Sequence, residues 1–263
     1  MGSEMCIRDS VLGSELSKFE NEFAKFCGSK YAVGLGNGSD GLTFSLLYYD
    51  IRRGDEVILP VNSFVASAWT IANVGAKPVF VDVSDDYNIN SELIEKSITK
   101  HTKAIMPVHL TGKIADMENI IKISKKYKIK IIEDAAQAVG AKLKDKKAGS
   151  FGNTASFSLH PLKNLHVNGD GGILTTNNKK IYNYMKQIRN HGLKNRDELK
   201  FWGYNSRLDN IQAGIARIKL KYINDWNNRF RKIAKYYSSE LNNYVKTPII
   251  GVSEQPIFHR YII

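Results

Sequence analysis

Five short apolar runs, each separated from the next by a segment of helical periodicity, constrain this chain more than any other feature. They are YAVGL (Tyr31 to Leu35), DEVILP (Asp55 to Pro60), KPVFVDV (Lys77 to Val83), TKAIMPVHL (Thr102 to Leu110) and KIKIIEDA (Lys128 to Ala135). Each is apolar without strict alternation, the pattern of a strand covered on both faces. Helical patterns lie between them, over Asp40 to Tyr49, Val65 to Val74, Ser91 to Ile98 and Asp116 to Tyr127, and SELSKFENEFAKF from Ser14 reads as an amphipathic helix ahead of the first run. Strands joined by helices of this length cannot be hairpins. They predict right-handed crossovers and a three-layer α/β/α fold with a mostly parallel central sheet. From Leu208 to about Leu241 the pattern predicts one long, charged, amphipathic helical stretch.

The 263 residues suffice for one large domain with a substantial core, and 43% hydrophobic against 24% charged residues is the balance of a globular protein. No apolar run reaches the roughly 20 residues of a membrane span, and MGSEMCIRDS lacks the apolar centre of a secretory signal. Two cysteines, Cys6 and Cys27, provide neither a disulfide framework nor a zinc site, so the cytoplasm is the expected compartment. The net charge of +12 is carried mostly by dispersed lysines, as in KISKKYKIK (Lys122 to Lys130) and KLKDKKAG (Lys142 to Gly149). That is a solvated basic surface, not a nucleic-acid-binding arm; its field favours small anionic substrates.

In a doubly covered parallel sheet, ligands gather at the carboxyl ends of the strands. Three polar segments follow strands there: GNGSD after Leu35, VNSF after Pro60, and DAAQ from Asp134. The stretch from Ile131 to Thr176 adds a carboxylate at a strand end (Asp134), a small polar patch (Ser156, Ser158), a lysine among turn formers (Lys163) and a glycine-rich bend (Gly169, Gly171, Gly172). A carboxylate and an amine flanking a phosphate-sized polar pocket suit pyridoxal 5'-phosphate (PLP). The amine forms a Schiff base, and the carboxylate keeps the pyridine nitrogen protonated so that the ring draws electrons. Taken alone, Lys163 reads as an exposed loop lysine and GNGSDGL as an ordinary helix N-cap. His109, His160, His166 and His191 show no metal-ligand spacing, and no metal is expected; His160 and His166 flank the lysine loop without an assigned role.

Six motifs occur in order: FENEFAKFCGSKYAVGLGNGSDGL, VNSFVASAWTIANVGAKPVFVDV, IMPVHLTGKIADM, IIEDAAQAVGA, FSLHPLKNLHVNGDGG and GYNSRLDNIQAGI. With them the chain resembles the DegT/DnrJ/EryC1/StrS sugar aminotransferases, of PLP fold type I, from about Ser14 to Ile263. The resemblance implies that Lys163 carries the cofactor and shuttles protons, that Asp134 pairs with the pyridine nitrogen, and that Gln137 lies near the phenolic oxygen. It makes Gly38, Ser39 and Ser158 the phosphate cradle, the first two at a helix N-terminus, and Phe64 the aromatic that stacks on the ring. Asn205 would reach the phosphate of a neighbouring subunit, so a homodimer with shared sites is implied. Some relatives replace the lysine with histidine and act as dehydratases; Lys163 favours transamination.

The implied reaction moves an amino group from an amino acid, L-glutamate by expectation, to a nucleotide-linked keto-sugar. The C3 or C4 position of the keto group and the nucleotide stay open, with GDGG resembling some 3-keto-sugar enzymes. A PLP-fold regulatory or binding protein without turnover, or an inactive truncated fragment, is the alternative. Residues 1–10 read as a non-native leader, 11–225 as the PLP-binding large domain, and 226–263 as the start of a truncated small C-terminal domain. PIFHRYII, at the end, reads as a strand-like run without a sheet partner.

Overall fold

A computed structural model describes residues 11–263; the leader expected over residues 1–10 lies outside the described residues. The first helix, α1 (Ser14–Cys27), turns Leu16, Phe19, Phe23 and Cys27 inward and ends on left-handed Gly28. There follow β1 (Tyr31–Leu35), α2 (Gly38–Tyr48), β2 (Glu56–Pro60), α3 (Val65–Asn73) and β3 (Lys77–Val81). Next come α4 (Ser91–Ile94), β4 (Thr102–Ile105), α5 (Met117–Tyr127) and β5 (Lys130–Asp134). A hairpin of β6 (Lys142–Leu143) and β7 (Lys146–Lys147) precedes β8 (Thr154–Ser158) and β9 (Gly172–Thr176). The described chain is completed by α6 (Lys179–Ile188), α7 (Asn210–Leu220), α8 (Ile223–Leu241) and β10 (Glu254–Gln255).

The central sheet has seven strands in the order β1-β9-β8-β5-β4-β2-β3. β2, β3, β4, β5 and β8 pair in parallel, and β9 runs antiparallel to both its neighbours. Successive residues of one strand enter different cores, which is the signature of two covered faces. Ile131 packs with Phe19, Phe23, Met117, Ile120 and Phe157, whereas Ile132 packs with Leu42, Leu46, Val57 and Ile71. The expected three-layer, mostly parallel fold is therefore the observed one. Removing a side chain such as Phe157, which is fully buried edge-on to Phe23 at 5.1 Å, would cost about 3–5 kcal/mol.

Several expected elements differ in extent. The run Thr102 to Leu110 is not one strand: β4 stops at Ile105, Val108 makes a single bridge to Asp134, and a 3-10 turn begins at Leu110. Pro107 offers no N–H to a ladder, and its carbonyl instead accepts the N–H of Asp134 at 2.9 Å. Lys77 to Val83 shortens to Val81, with Val83 bridging Ile89. Lys128 is not in a strand but caps α5 in the left-handed region. The long helix expected from Leu208 breaks at Lys221–Tyr222, with Leu220 before the break and Ile223 after it both in the core. The PIFHRYII run is not a strand either: Glu254–Gln255 pairs with Lys142–Leu143, and Ile257 is buried beyond it. β9, α6 and the β6–β7 hairpin carry no expectation from the sequence, the hairpin lying in what reads as solvated basic surface.

One glycine is sterically required at the edge where the site forms. A Cβ on Gly172 would stand 2.2 Å from the carbonyl carbon of Asn37, so β9 passes directly under the entry to α2 only because residue 172 has no side chain.

Candidate active site

Every parallel strand of the sheet ends on the same edge, and the segments after β1, β2, β4, β5 and β8 meet there. Asp134 is the last residue of β5 and 6% exposed. Its backbone is clamped to the β4 extension, donating to Pro107 O and accepting from the His109 N–H, both at 2.9 Å. Its carboxylate takes two donors, the Ser67 hydroxyl at 2.7 Å and the Ala136 N–H at 3.1 Å. Ser67 is fully buried on α3 and also contacts the Ser63 hydroxyl at 2.6 Å. The carboxylate is held from behind and keeps acceptor capacity toward the open side.

β8 stands beside β5 in register, with Asp134 opposite Ser156. The Ser156 hydroxyl donates to Gly38 O at 2.6 Å, which seats the first turn of α2 on β8. A Cβ on Gly38 would come within 3.1 Å of Ser158, so Ser158 and the start of α2 form one close-packed cradle. Asn37 caps the helix, accepting the Asp40 N–H at 2.8 Å. Ser39 lies on that first turn, half-buried. Such a helix start, with partly unpaired N–H groups and the positive end of the dipole, is suited to an anion.

Lys163 rides on the loop after β8. The loop is tied down by the Lys163 N–H to His160 O at 2.9 Å, by His166 Nδ1–H to Lys163 O at 3.0 Å, and by Asn164 Nδ2–H to Val139 O at 2.8 Å. Burial holds the Lys163 ammonium below its ordinary value of 10.5; Asp134 opposes that shift, and Arg260 reinforces it.

A cavity of about 640 Å³ joins these groups. Of the residues singled out from sequence, Gly38, Ser39, Phe64, Asp134, Gln137, Ser158 and Lys163 all line it, as does His160. Phe64, 71% exposed, stands in the wall at the N-cap position of α3. Gln137 is held by the Thr111 N–H, which its Oε1 accepts at 2.9 Å. Asn205 does not line this cavity; it is exposed and bridges Asn190. His166 does not line it either and instead braces the lysine loop.

The residues present fit PLP. The cavity is within the roughly 300–1,000 Å³ usual for small-molecule sites. It holds an amine whose charge burial disfavours, a carboxylate with free acceptor positions, and a cradle that a Cβ at residue 38 would crowd. Two residues on its wall gave no signal in the sequence, His259 and Arg260. The His259 imidazole is pushed down to about 4 by burial, and then by Lys163 and Arg260. They belong to the run that reads as an apolar strand, and only the folded chain brings them to Lys163.

The sequence matches the DegT/DnrJ/EryC1/StrS aminotransferase family over residues 8–263, and the chain belongs to that family. It is a PLP-dependent aminotransferase by class. It is 45% identical over 255 residues to the dTDP-3-amino-3,6-dideoxy-alpha-D-galactopyranose transaminase of Aneurinibacillus thermoaerophilus, covering 96% of this chain and 70% of that protein. A "Pleiotropic regulatory protein" of Geobacillus stearothermophilus is 40% identical, with 96% and 69% covered. Among solved structures, NtdA of Bacillus subtilis with its bound cofactor PMP (pyridoxamine phosphate) superposes with a TM-score of 0.90 at 32% identity. That match covers 98% of this chain and 60% of the other.

Proposed function

We propose that the chain transfers an amino group from L-glutamate to the keto carbon of a nucleotide-linked sugar, using Lys163 and Asp134. The observation that carries this reading is the meeting of Lys163, Asp134 and the α2 cradle in one cavity of an aminotransferase-family fold. The nucleotide-linked substrate is supported by the transaminase activity named for the Aneurinibacillus relative. Over the whole cycle the donor's C–N bond is broken and a 2-oxo acid leaves. A C–N bond forms at the sugar's keto carbon, whose oxygen ends in the 2-oxo acid or as exchanged water.

When bound, PLP supplies a carbonyl for amine exchange and a cationic ring that draws electrons from the reacting carbon. The chain's own residues supply the rest. Lys163 Nζ takes the proton from the donor's α-carbon and redelivers it on the same face, and its low basicity keeps the amine available as a base. The Asp134 carboxylate, fixed by Ser67 and Ala136, would accept the pyridine N–H. The first-turn N–H groups at Gly38 and Ser39, with the Ser158 hydroxyl, would hold the phosphate, and Phe64 would cover one ring face. The reading includes a cytoplasmic homodimer in which Asn205 serves the neighbouring site. Exposed Asn205 and a Trp202 side chain 89% exposed beside it support such a contact.

The regulatory name of the Geobacillus relative matches the alternative of a binding protein without turnover. A lysine of lowered basicity facing a clamped carboxylate argues against it. The test is a coupled assay for 2-oxoglutarate release from L-glutamate with dTDP- and UDP-linked 3-keto- and 4-keto-sugars. Release that depends on one keto-sugar supports the proposal; a visible cofactor band with no release from any of them contradicts it.

A further inference from the structure

Beyond the cofactor cradle, the wall of the cavity carries a cation with no ion-pair partner among the described residues, Asp170 being the other charged group of that wall besides Lys163 and Asp134. Arg260 follows Ile257, which is fully buried and donates its N–H to Gly112 O at 2.9 Å. The Arg260 N–H reaches Thr111 O at 3.5 Å. Thr111 and Gly112 are both left-handed (φ 59° and 87°), a turn that presents its carbonyls to the 257–260 segment while the Thr111 N–H goes to Gln137. The segment is thereby strapped to the same loop that holds a residue of the cavity wall.

The cations around Arg260 are already engaged. Lys113 Nζ contacts Asp86 at 3.2 Å and Glu254 at 3.1 Å. Lys246 Nζ contacts Asp85 at 3.1 Å. The Arg260 guanidinium and the His259 imidazole have no hydrogen bond or ion pair with any described residue. Both nevertheless line the cavity that contains Lys163 and Asp134. With Lys163 and Asp134 engaged by the cofactor, Arg260 is the remaining fixed positive charge among the described lining residues.

We infer that Arg260, with the His259 ring beside it as a hydrogen-bonding neighbour, receives the anionic group of a substrate at the cavity mouth. The inference rests on the transaminase reading and deepens it. A guanidinium binds carboxylate and phosphate oxygens through paired N–H donors. The two sources with that chemistry are the α-carboxylate of the amino donor and the diphosphate of the sugar nucleotide. Burial, and then the neighbouring Arg260 charge, keep His259 neutral, so it adds hydrogen bonding without competing for the anion.

The experiment is calorimetric titration of the PLP-loaded protein with glutarate, UDP and dTDP, on the unaltered chain, Arg260→Gln and Arg260→Lys, with the cofactor band recorded for each. Arg260→Gln should weaken one probe class roughly ten- to a hundredfold, the size of a lost charge-assisted contact, and Arg260→Lys should recover most of it. Loss confined to glutarate identifies the donor carboxylate; loss confined to the nucleotides identifies the diphosphate. Affinities within twofold in Arg260→Gln, or no binding of any probe by the unaltered chain, overturn the inference. These titrations need no turnover. A chain that binds anions through Arg260 yet releases no 2-oxoglutarate would sink the transaminase reading and leave the anion site standing.

Discussion

Two neighbouring carboxylates, on opposite faces of β5, have opposite surroundings. Glu133 points away from the cavity and is fully buried. It accepts the N–H of Gly149 at 2.9 Å, of Phe151 at 2.9 Å and of Gly152 at 2.6 Å, and faces His109 Nε2 at 3.0 Å. The other His109 nitrogen accepts the Ala115 N–H at 3.3 Å, so Nε2 carries the proton that goes to Glu133. Glu133 thus ties the loop before β8 to the loop after β4. Asp134, one residue on, has two donors and an open side. A carboxylate saturated by backbone donors holds the fold, whereas one that is fixed but undersaturated, beside a cavity, is free for chemistry.

The comparison breaks first at Asp134. Asp134→Asn keeps the size and most of the hydrogen bonding of the side chain, so stability should move by no more than about 1 kcal/mol. Turnover should fall by about a hundredfold or more, because a neutral amide does not balance a charged ring. Parallel urea melts and the coupled assay read both effects, and near-normal turnover would remove Asp134 from the chemistry. Glu133→Ala should do the reverse. It strands three backbone N–H groups and the His109 ring, and should cost about 3 kcal/mol or more in a urea melt. A change below about 1 kcal/mol would mean that Glu133 is not the tie between the two loops.

Lys163 sharpens the comparison through pH. Only an uncharged amine would attack a cofactor carbonyl, and burial lowers the folded-state pKa of Lys163, so the uncharged form gains population below the ordinary lysine value of 10.5. Loading of the apo protein with PLP, followed by absorbance, should accelerate as pH rises, with its midpoint below that value; a midpoint at or above it contradicts the account. The smallest effect is expected at Phe64. Phe64→Ala should change stability by no more than about 0.5 kcal/mol, since the ring is mostly exposed, but should weaken cofactor retention several-fold if the ring stacks on it. Unchanged retention in equilibrium dialysis would assign Phe64 to the surface alone.

The parallel half of the sheet was legible because doubly buried strands and intervening amphipathic helices leave strong periodic signals. β9 was not, because GGILTT follows a glycine bend that reads only as a turn, and nothing local says that it runs back antiparallel. The break at Lys221–Tyr222 was equally silent: neither glycine nor proline marks it. At the site, Lys163, Asp134 and the cradle were legible through their motifs. The Ser67 clamp lies on the helix expected over Val65 to Val74, just after the VNSF segment expected at that edge, and its partner could not be read. His259 and Arg260 were invisible, since backbone bonds to the Thr111–Gly112 turn set their position across more than a hundred residues of sequence.

Whether Lys163 holds PLP opposite Asp134 is tested by borohydride reduction of the PLP-loaded protein, followed by proteolysis and mass spectrometry of the labelled peptide. The account predicts one reduced adduct, on Lys163 within SLHPLKN, and no adduct in Lys163→Ala. An adduct on any other lysine, or an undiminished yield in Lys163→Ala, would contradict it.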